Sequence, residues 1–241
     1  MGIRAVSELI LVRHGQASFG KASYDKLSEK GVEQVKILSR HWQDVGEQFD
    51  HVYSGTLLRQ KETANELLSL VKGAPTASVE NPAFNEYNGD PLMRVYLRDH
   101  AAGEGFDTPF SWPIKDERLF QTVFEAACAK WIRGELKPSA EESNFEYWQD
   151  FQSRVYTAID EIIAKHGSGS RVLISTSGGV IAMVLQRVLQ FPDQAVITTN
   201  WMVRNSSVSR VKYGQGKVSL TQFNSLPHLE RSGLQEMITY R

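Results

Sequence analysis

Cysteine is almost missing from the chain: Cys128 stands alone among 241 residues. No internal disulfide and no cysteine-rich metal site is therefore possible, and a lone cysteine of this kind is expected as a small buried hydrophobe. Long apolar runs are missing too. The stretch 9–12 is far too short for a signal-peptide core or a membrane span. Met1-Gly2 is followed by Val6 where a myristoylation signal needs Ser or Thr. Without a secretion signal, Asn205-Ser206-Ser207 reads as a polar loop and not as a glycosylated one. An excess of one charge is also lacking, with 27 basic against 28 acidic residues and a net charge of −1. That gives no electrostatic footprint for nucleic acid or an anionic membrane. Glycine (18) and proline (8) are too few for a low-complexity chain. None of the six histidines sits in an H-E-x-x-H pair, so no metal ligand set is read. The expectation is a soluble, cytoplasmic protein without a metal or other cofactor, of open oligomeric state.

What is present is ordinary globular material: 41% hydrophobic and 23% charged residues. At this length a folded chain buries about 70% of its surface, enough for a core without staples. Glu8-Leu9-Ile10-Leu11-Val12 is a short apolar run stopped by Arg13-His14-Gly15, as a buried strand is before a loop. Ser28 is the expected N-cap of a helix in which Val32, Val35, Leu38, Trp42 and Val45 follow at helical spacing until Gly46. A second strand is expected over 50–53, a helix over 57–70, and a weaker strand over 75–80. Arg171-Val172-Leu173-Ile174-Ser175 is the clearest late strand, followed by Gly178-Gly179 and an apolar helix to Leu189. The segments 208–213 and 217–223 flank Gly214-Gln215-Gly216 and suggest an antiparallel hairpin.

Strands alternating with helices at both ends predict an α/β fold: a three-layer α/β/α sandwich around a mostly parallel sheet with a late antiparallel strand. The region 90–151 carries Trp112, Trp131 and Trp148 among several Pro and Gly breaks. It reads as a mostly helical insertion within one domain spanning 1–241, because no linker-like composition borders it.

Each loop at the carboxyl end of a predicted strand carries a specific polar group, which is where open α/β sheets place ligands. The first supplies Arg13, His14 and Gly15; the second leads to Arg59; the third leads to Glu86, with Asp90 four residues later; the fourth gives Ser175-Thr176-Ser177-Gly178-Gly179. Two arginines, a histidine and the N–H groups of a helix start at Gly178 describe an oxyanion or phosphate site. Thr56 is expected to cap its helix. Gly167-Ser168-Gly169-Ser170 lacks a P-loop lysine and precedes a strand, so it is a loop.

Leu11-Val12-Arg13-His14-Gly15, Leu27-Ser28-Glu29-Lys30-Gly31-Val32-Glu33-Gln34 and the stretch 54–64 with Arg59 resemble, in order, the blocks of the histidine phosphatase superfamily, the phosphoglycerate-mutase-like fold. Glu141-Glu142-Ser143 with Arg154-Val155, then Asn205-Ser206-Ser207-Val208 and Asn224-Ser225-Leu226-Pro227-His228-Leu229, extend the likeness over nearly the whole chain. The resemblance implies a metal-independent hydrolase of small phosphomonoesters. His14 would be the nucleophile, Glu86 (or Asp90) the acid, and Arg13, Arg59, Ser177 and Gly178 the phosphate-binding groups. A neutral imidazole is a competent nucleophile, and a covalent phosphohistidine splits one hard displacement into two easier ones.

One position departs from the family. Ser177 stands where a second histidine normally precedes Gly-Gly, and it reads either as a neutral donor to a phosphoryl oxygen or as the N-cap of the following helix. His100 is a candidate to compensate. The loss argues against a mutase, as does Gln16-Ala17-Ser18-Phe19-Gly20, which lacks the Trp-Asn of phosphoglycerate mutases. Alternatives are a weak pseudoenzyme that binds a phosphorylated ligand, a mutase-type phosphotransferase, and a serine hydrolase using Ser177 with Asp193 and His228.

Overall fold

Strands β1 (Ser7–Arg13), β2 (His51–Ser54), β3 (Val79–Glu80) and β4 (Arg171–Thr176) run parallel; β5 (Val208–Gly214) joins β1 antiparallel and β6 (Lys217–Ser225) joins β5 antiparallel, in the order β3-β2-β4-β1-β5-β6. The computed structural model describes residues 6–18, 25–106, 114 and 116–240. Met1-Gly2, Phe19-Gly20 and Trp112 lie outside the described residues.

The central strands are apolar on both faces because both are covered. Register sets Ile10 beside Leu173 and Leu173 beside Val52, and Leu9 beside Val172 and Val211. On the first face Ile10, Val12, Val52 and Leu173 pack with Val35, Leu38 and Trp42 of α1 (Glu29–Asp44) and Ala64 and Leu67 of α2 (Leu58–Leu67). Trp42 meets Phe49 edge-on at 5.0 Å between ring centres. The helix α3 (Gly89–Asp99), α4 (Glu117–Ile132) and α5 (Trp148–Lys165) follow in sequence, then α6 (Gly178–Leu189) and α7 (Asp193–Met202). On the second face Leu9 and Val211 share a cleft with Ile159 and Ile163 of α5 and Val184 of α6. The result is the α/β/α arrangement expected from the alternation of elements.

Local chemistry explains the boundaries. Ser28 caps α1 by accepting a hydrogen bond from Gly31 N at 3.0 Å, and the chain turns out at Gly46 with φ +69°. The helix expected over 57–70 is α2 followed by a 3-10 turn at Leu68–Leu70. The strand expected over 75–80 forms only at Val79–Glu80.

The chain divides into two compact units, Met1–Glu86 with Val155–Arg241, and Tyr87–Arg154. The first holds the sheet. The second has its own aromatic core, in which Trp131 and Trp148 meet edge-on at 4.9 Å and Tyr87 lies 4.9 Å from Trp131. Cys128 is buried there, and burial pushes its thiol up, away from reactivity. No helix among the described residues is long and apolar enough to cross a membrane.

Candidate active site

Because β1, β2, β3 and β4 run parallel, their carboxyl ends open onto one edge of the first unit, and Arg13, His14, Arg59, Glu86, Ser177 and Gly178 all belong to that unit. His14 follows β1 directly and is 6% exposed. Its N–H donates to Thr176 O at 2.9 Å, and its carbonyl accepts from Ser206 N at 3.3 Å and Asn205 Nδ2 at 3.2 Å. The loop that carries it lies flat on the start of α1: a Cβ on Gly15 would stand 2.4 Å from Gly31 O, and one on Gly31 would stand 2.1 Å from Gln16 O. Only two glycines allow that approach.

The ring nitrogens of His14 are distinguished by their partners. Nδ1 lies 2.7 Å from Gly15 O, an atom that can only accept, so Nδ1 carries the proton. Nε2 then presents its lone pair, and Arg59 Nε donates to it at 3.1 Å. Burial first, then the positive charges of Arg59 and Arg13, hold the imidazole pKa well below its usual value. His14 is neutral at pH 7.

Arg13 directs Nη1 to Val203 O, just past α7. Arg59 spends Nη1 on Asp25 Oδ1 at 2.6 Å. Glu86 Oε2 accepts from Gly179 N at 2.9 Å, in the first turn of α6, a position where a helix favours negative charge. Asn200 closes on the same helix start, its Oδ1 lying where a Cβ of Gly178 would be only 2.3 Å away. Among the described residues no three of His, Cys, Asp and Glu are grouped so as to hold a metal ion.

Three sequence readings are corrected here: the Ser177 cap, the Thr56 cap and the serine-hydrolase triad. Ser177 occupies the N-cap position of α6 but makes no capping bond with its side chain. Its Oγ accepts instead from Gln60 Nε2 at 2.9 Å. Thr56 is not a cap either: Leu57 holds that place, and Thr56 exchanges hydrogen bonds with the Asn85 side chain. The serine-hydrolase triad does not assemble, since Ser177 pairs with Gln60, Asp193 with Gln186, and His228 with Ser206. Asp90 lies in the second unit and pairs with Arg94 one turn on along α3 at 2.7 Å. His100 ends α3 with its ring stacked on Tyr96 at 6.0 Å.

Two residues that the sequence reading missed bind the site together. Gln60 is fully buried and donates both to Ser177 Oγ and to Phe84 O, each at 2.9 Å. Phe84 O also accepts from Thr176 Oγ1 at 2.7 Å, which ties the Glu86 loop to the end of β4. The other is Asp25. A polar residue in the buried stripe Gln60-Thr63-Ala64-Leu67 of α2 was the one signal available for Gln60.

The family profile described as histidine phosphatase superfamily, branch 1, matches residues 9–102 and 112–226. The chain belongs to that superfamily. The chain is 25% identical over 236 residues to the metal-independent phosphoserine phosphatase of Arabidopsis thaliana, covering 95% of this chain and 85% of that one. Its fold matches the crystal structure of a phosphoglycerate mutase from Bacillus anthracis with a TM-score of 0.63 at 22% identity, over 93% of this chain and 96% of the other. It also matches a phosphoserine phosphatase of Entamoeba histolytica solved in complex with phosphoserine, with a TM-score of 0.59 at 17% identity, over 92% and 99% of the two chains.

Proposed function

We propose that this histidine phosphatase is a metal-independent phosphomonoester hydrolase that works through a phosphohistidine on Nε2 of His14. The observation that carries the reading is the state of His14: Nδ1–H is fixed on Gly15 O, Nε2 presents its lone pair, and burial together with two arginines keeps the ring neutral. In the first step that lone pair attacks phosphorus, the P–O bond to the leaving group breaks, and Glu86 in its acid form protonates the leaving oxygen. A phosphate dianion beside Glu86 favours that protonated form. In the second step water attacks the phosphohistidine, Glu86 takes the water's proton, and orthophosphate leaves with His14 neutral again. Arg13, Arg59 and the start of α6 at Gly178 hold the phosphoryl oxygens, and Ser177 adds a neutral hydroxyl donor.

The substrate on this reading is a small phosphorylated molecule, in keeping with the phosphoserine and phosphoglycerate named for the relatives. A competing reading is a phosphate-ligand binder with little turnover, which the uncharged Ser177 supports. EDTA-treated protein tested on an aryl phosphate separates the two. Hydrolysis with a base-stable phosphoenzyme, both lost in His14→Ala, is the expected result. Unchanged turnover in His14→Ala refutes the phosphohistidine mechanism, and loss of activity with chelator refutes metal independence.

A further inference from the structure

Asp25 reaches two places on α2. Its Oδ2 accepts from Leu58 N at 2.8 Å and its Oδ1 from Arg59 Nη1 at 2.6 Å. The first bond supplies from a distance the cap that Leu57 lacks a side chain to make. The second divides the Arg59 guanidinium. Nη1 is held by Asp25, Nε points at the lone pair of His14 Nε2 across 3.1 Å, and Nη2 has no hydrogen-bond partner among the described residues. A guanidinium is a rigid planar fork, so anchoring one nitrogen fixes the aim of the others.

We propose that Asp25 is a positioning residue for the reaction at His14: by gripping Arg59 Nη1 it aims Nε at the nucleophile and keeps Nη2 free for a phosphoryl oxygen. The proposal rests on the phosphatase reading of His14 and Arg59. Arg59 and Arg13 both act on His14 with positive charge, so without a substrate anion the two cations repel one another. The Asp25 carboxylate offsets that repulsion, and no other group among the described residues bonds the Arg59 guanidinium besides Asp25 and His14. With Asp25 gone, Arg59 is free to turn toward solvent. The contact also orders the first step. In the ligand-free site Arg59 Nε covers the lone pair that must attack phosphorus, so an arriving phosphoryl oxygen must draw Nε off His14 while Asp25 holds the pivot.

Asp25→Asn separates aiming from capping, because the amide oxygen still accepts from Leu58 N while the charge on Arg59 is removed. Nitrogen-15 NMR of labelled histidine reads the His14 Nε2 bond directly. Calorimetry with orthophosphate and steady-state hydrolysis of an aryl phosphate read its consequences. The expected result is a His14 Nε2 resonance moved toward that of an unbonded pyridine-type nitrogen, with orthophosphate affinity and kcat/KM each lowered roughly tenfold, as for loss of a charge-assisted contact, in a protein that melts as the wild type does. An unmoved resonance with wild-type affinity reduces Asp25 to a helix cap and overturns the proposal. Should Asp25→Asn not fold, Asp25→Ala in a Leu57→Ser background puts a cap on α2 itself and asks the same question. Failure of the wild type to bind orthophosphate or turn over overturns the phosphatase reading itself. Turnover in the wild type with an unshifted variant overturns only the role of Asp25.

Discussion

Gln60 Nε2 stands 2.9 Å from Ser177 Oγ, and that bond sets what Ser177 can offer the site. The serine oxygen accepts from the amide, so its own proton remains to donate to a second acceptor. Gln60 in turn has both amide protons engaged, one on Ser177 and one on Phe84 O. Position 177 thus offers a neutral hydroxyl backed by a buried amide.

The first prediction follows from that pair. Ser177→Ala removes one neutral hydrogen bond to a phosphoryl oxygen, about 0.5–1.5 kcal/mol, hence a loss of roughly two- to tenfold in kcat/KM. It also strands one Gln60 proton in the interior, at a cost of about 1–3 kcal/mol in stability. Steady-state kinetics and chemical denaturation check the two separately. Full turnover with wild-type stability is incompatible with this role. Ser177→His reinstates a charged donor, but residue 177 is only 1% exposed, so the larger ring is expected to cost stability even where it aids turnover.

Arg59 supplies a second prediction. Arg59→Ala should weaken binding of orthophosphate or vanadate by about 1.5–3 kcal/mol, roughly ten- to 150-fold, the worth of a charge-assisted hydrogen bond. Its positive charge also lowers the His14 pKa, so its removal should raise that pKa and move the acid limb of the pH–rate profile upward. Calorimetry and the pH profile measure the two effects. Equal affinity in Arg59→Ala and wild type would place Arg59 outside the pocket.

Much of the candidate site is legible in the sequence. Strands β1 and β4 announce themselves because an apolar run ends abruptly in polar loop residues, and α1 because Ser28 and its apolar spacing agree. Arg13 and His14 come directly from the first loop. Arg59 and Glu86 needed the family's order of blocks, since a lone arginine in a helix is usually a solvated one. Asp25 was not legible at all: it acts 34 positions away from Arg59, and nothing local marks a carboxylate that reaches across a fold. The helix α7 was missed because only Val196 and Ile197 of its residues are buried, too few to print a periodicity. Ser177 stayed open between donor and cap because propensity cannot foresee that a buried glutamine takes its oxygen.

Acid should destabilise the protein for a specific reason. Burial holds His228 at a pKa of about 3, with Ser206 Oγ its one hydrogen-bond partner among the described residues at 2.9 Å, and His14 also lies well below its usual value. Both groups bind a proton in the unfolded chain near pH 6.5 and refuse it when folded. Stability is therefore unaffected by them above that pH and is lost as the pH falls below it. The loss is up to about 1.4 kcal/mol per pH unit for each histidine, continuing for His228 until about pH 3. Guanidinium denaturation at pH 8, 6 and 5 tests the slope. A flat profile across that range would show that neither histidine resists protonation.

Gly31 gives the last prediction, and two opposed effects decide its sign. Alanine within a helix is favoured over glycine by about 1 kcal/mol, and Gly31 lies in the first turn of α1. Against this, its Cβ would stand 2.1 Å from Gln16 O, 2.7 Å from Gln16 N and 2.9 Å from Gln16 C. All three are backbone atoms, which cannot swing aside as a side-chain tip can. Relief requires α1 to part from the loop of His14 and Gly15, and overpacking of this kind costs about 1–3 kcal/mol. The clash outweighs the propensity, so Gly31→Ala should be less stable than the wild type. It should also lose activity beyond what its unfolded fraction explains, because Gln16 cannot move without shifting Gly15, whose carbonyl oxygen accepts from His14 Nδ1 across 2.7 Å. Denaturation midpoints together with kcat/KM measured well below the melting temperature test both parts, and a more stable, fully active Gly31→Ala would mean that the His14 loop does not lie on α1 as described.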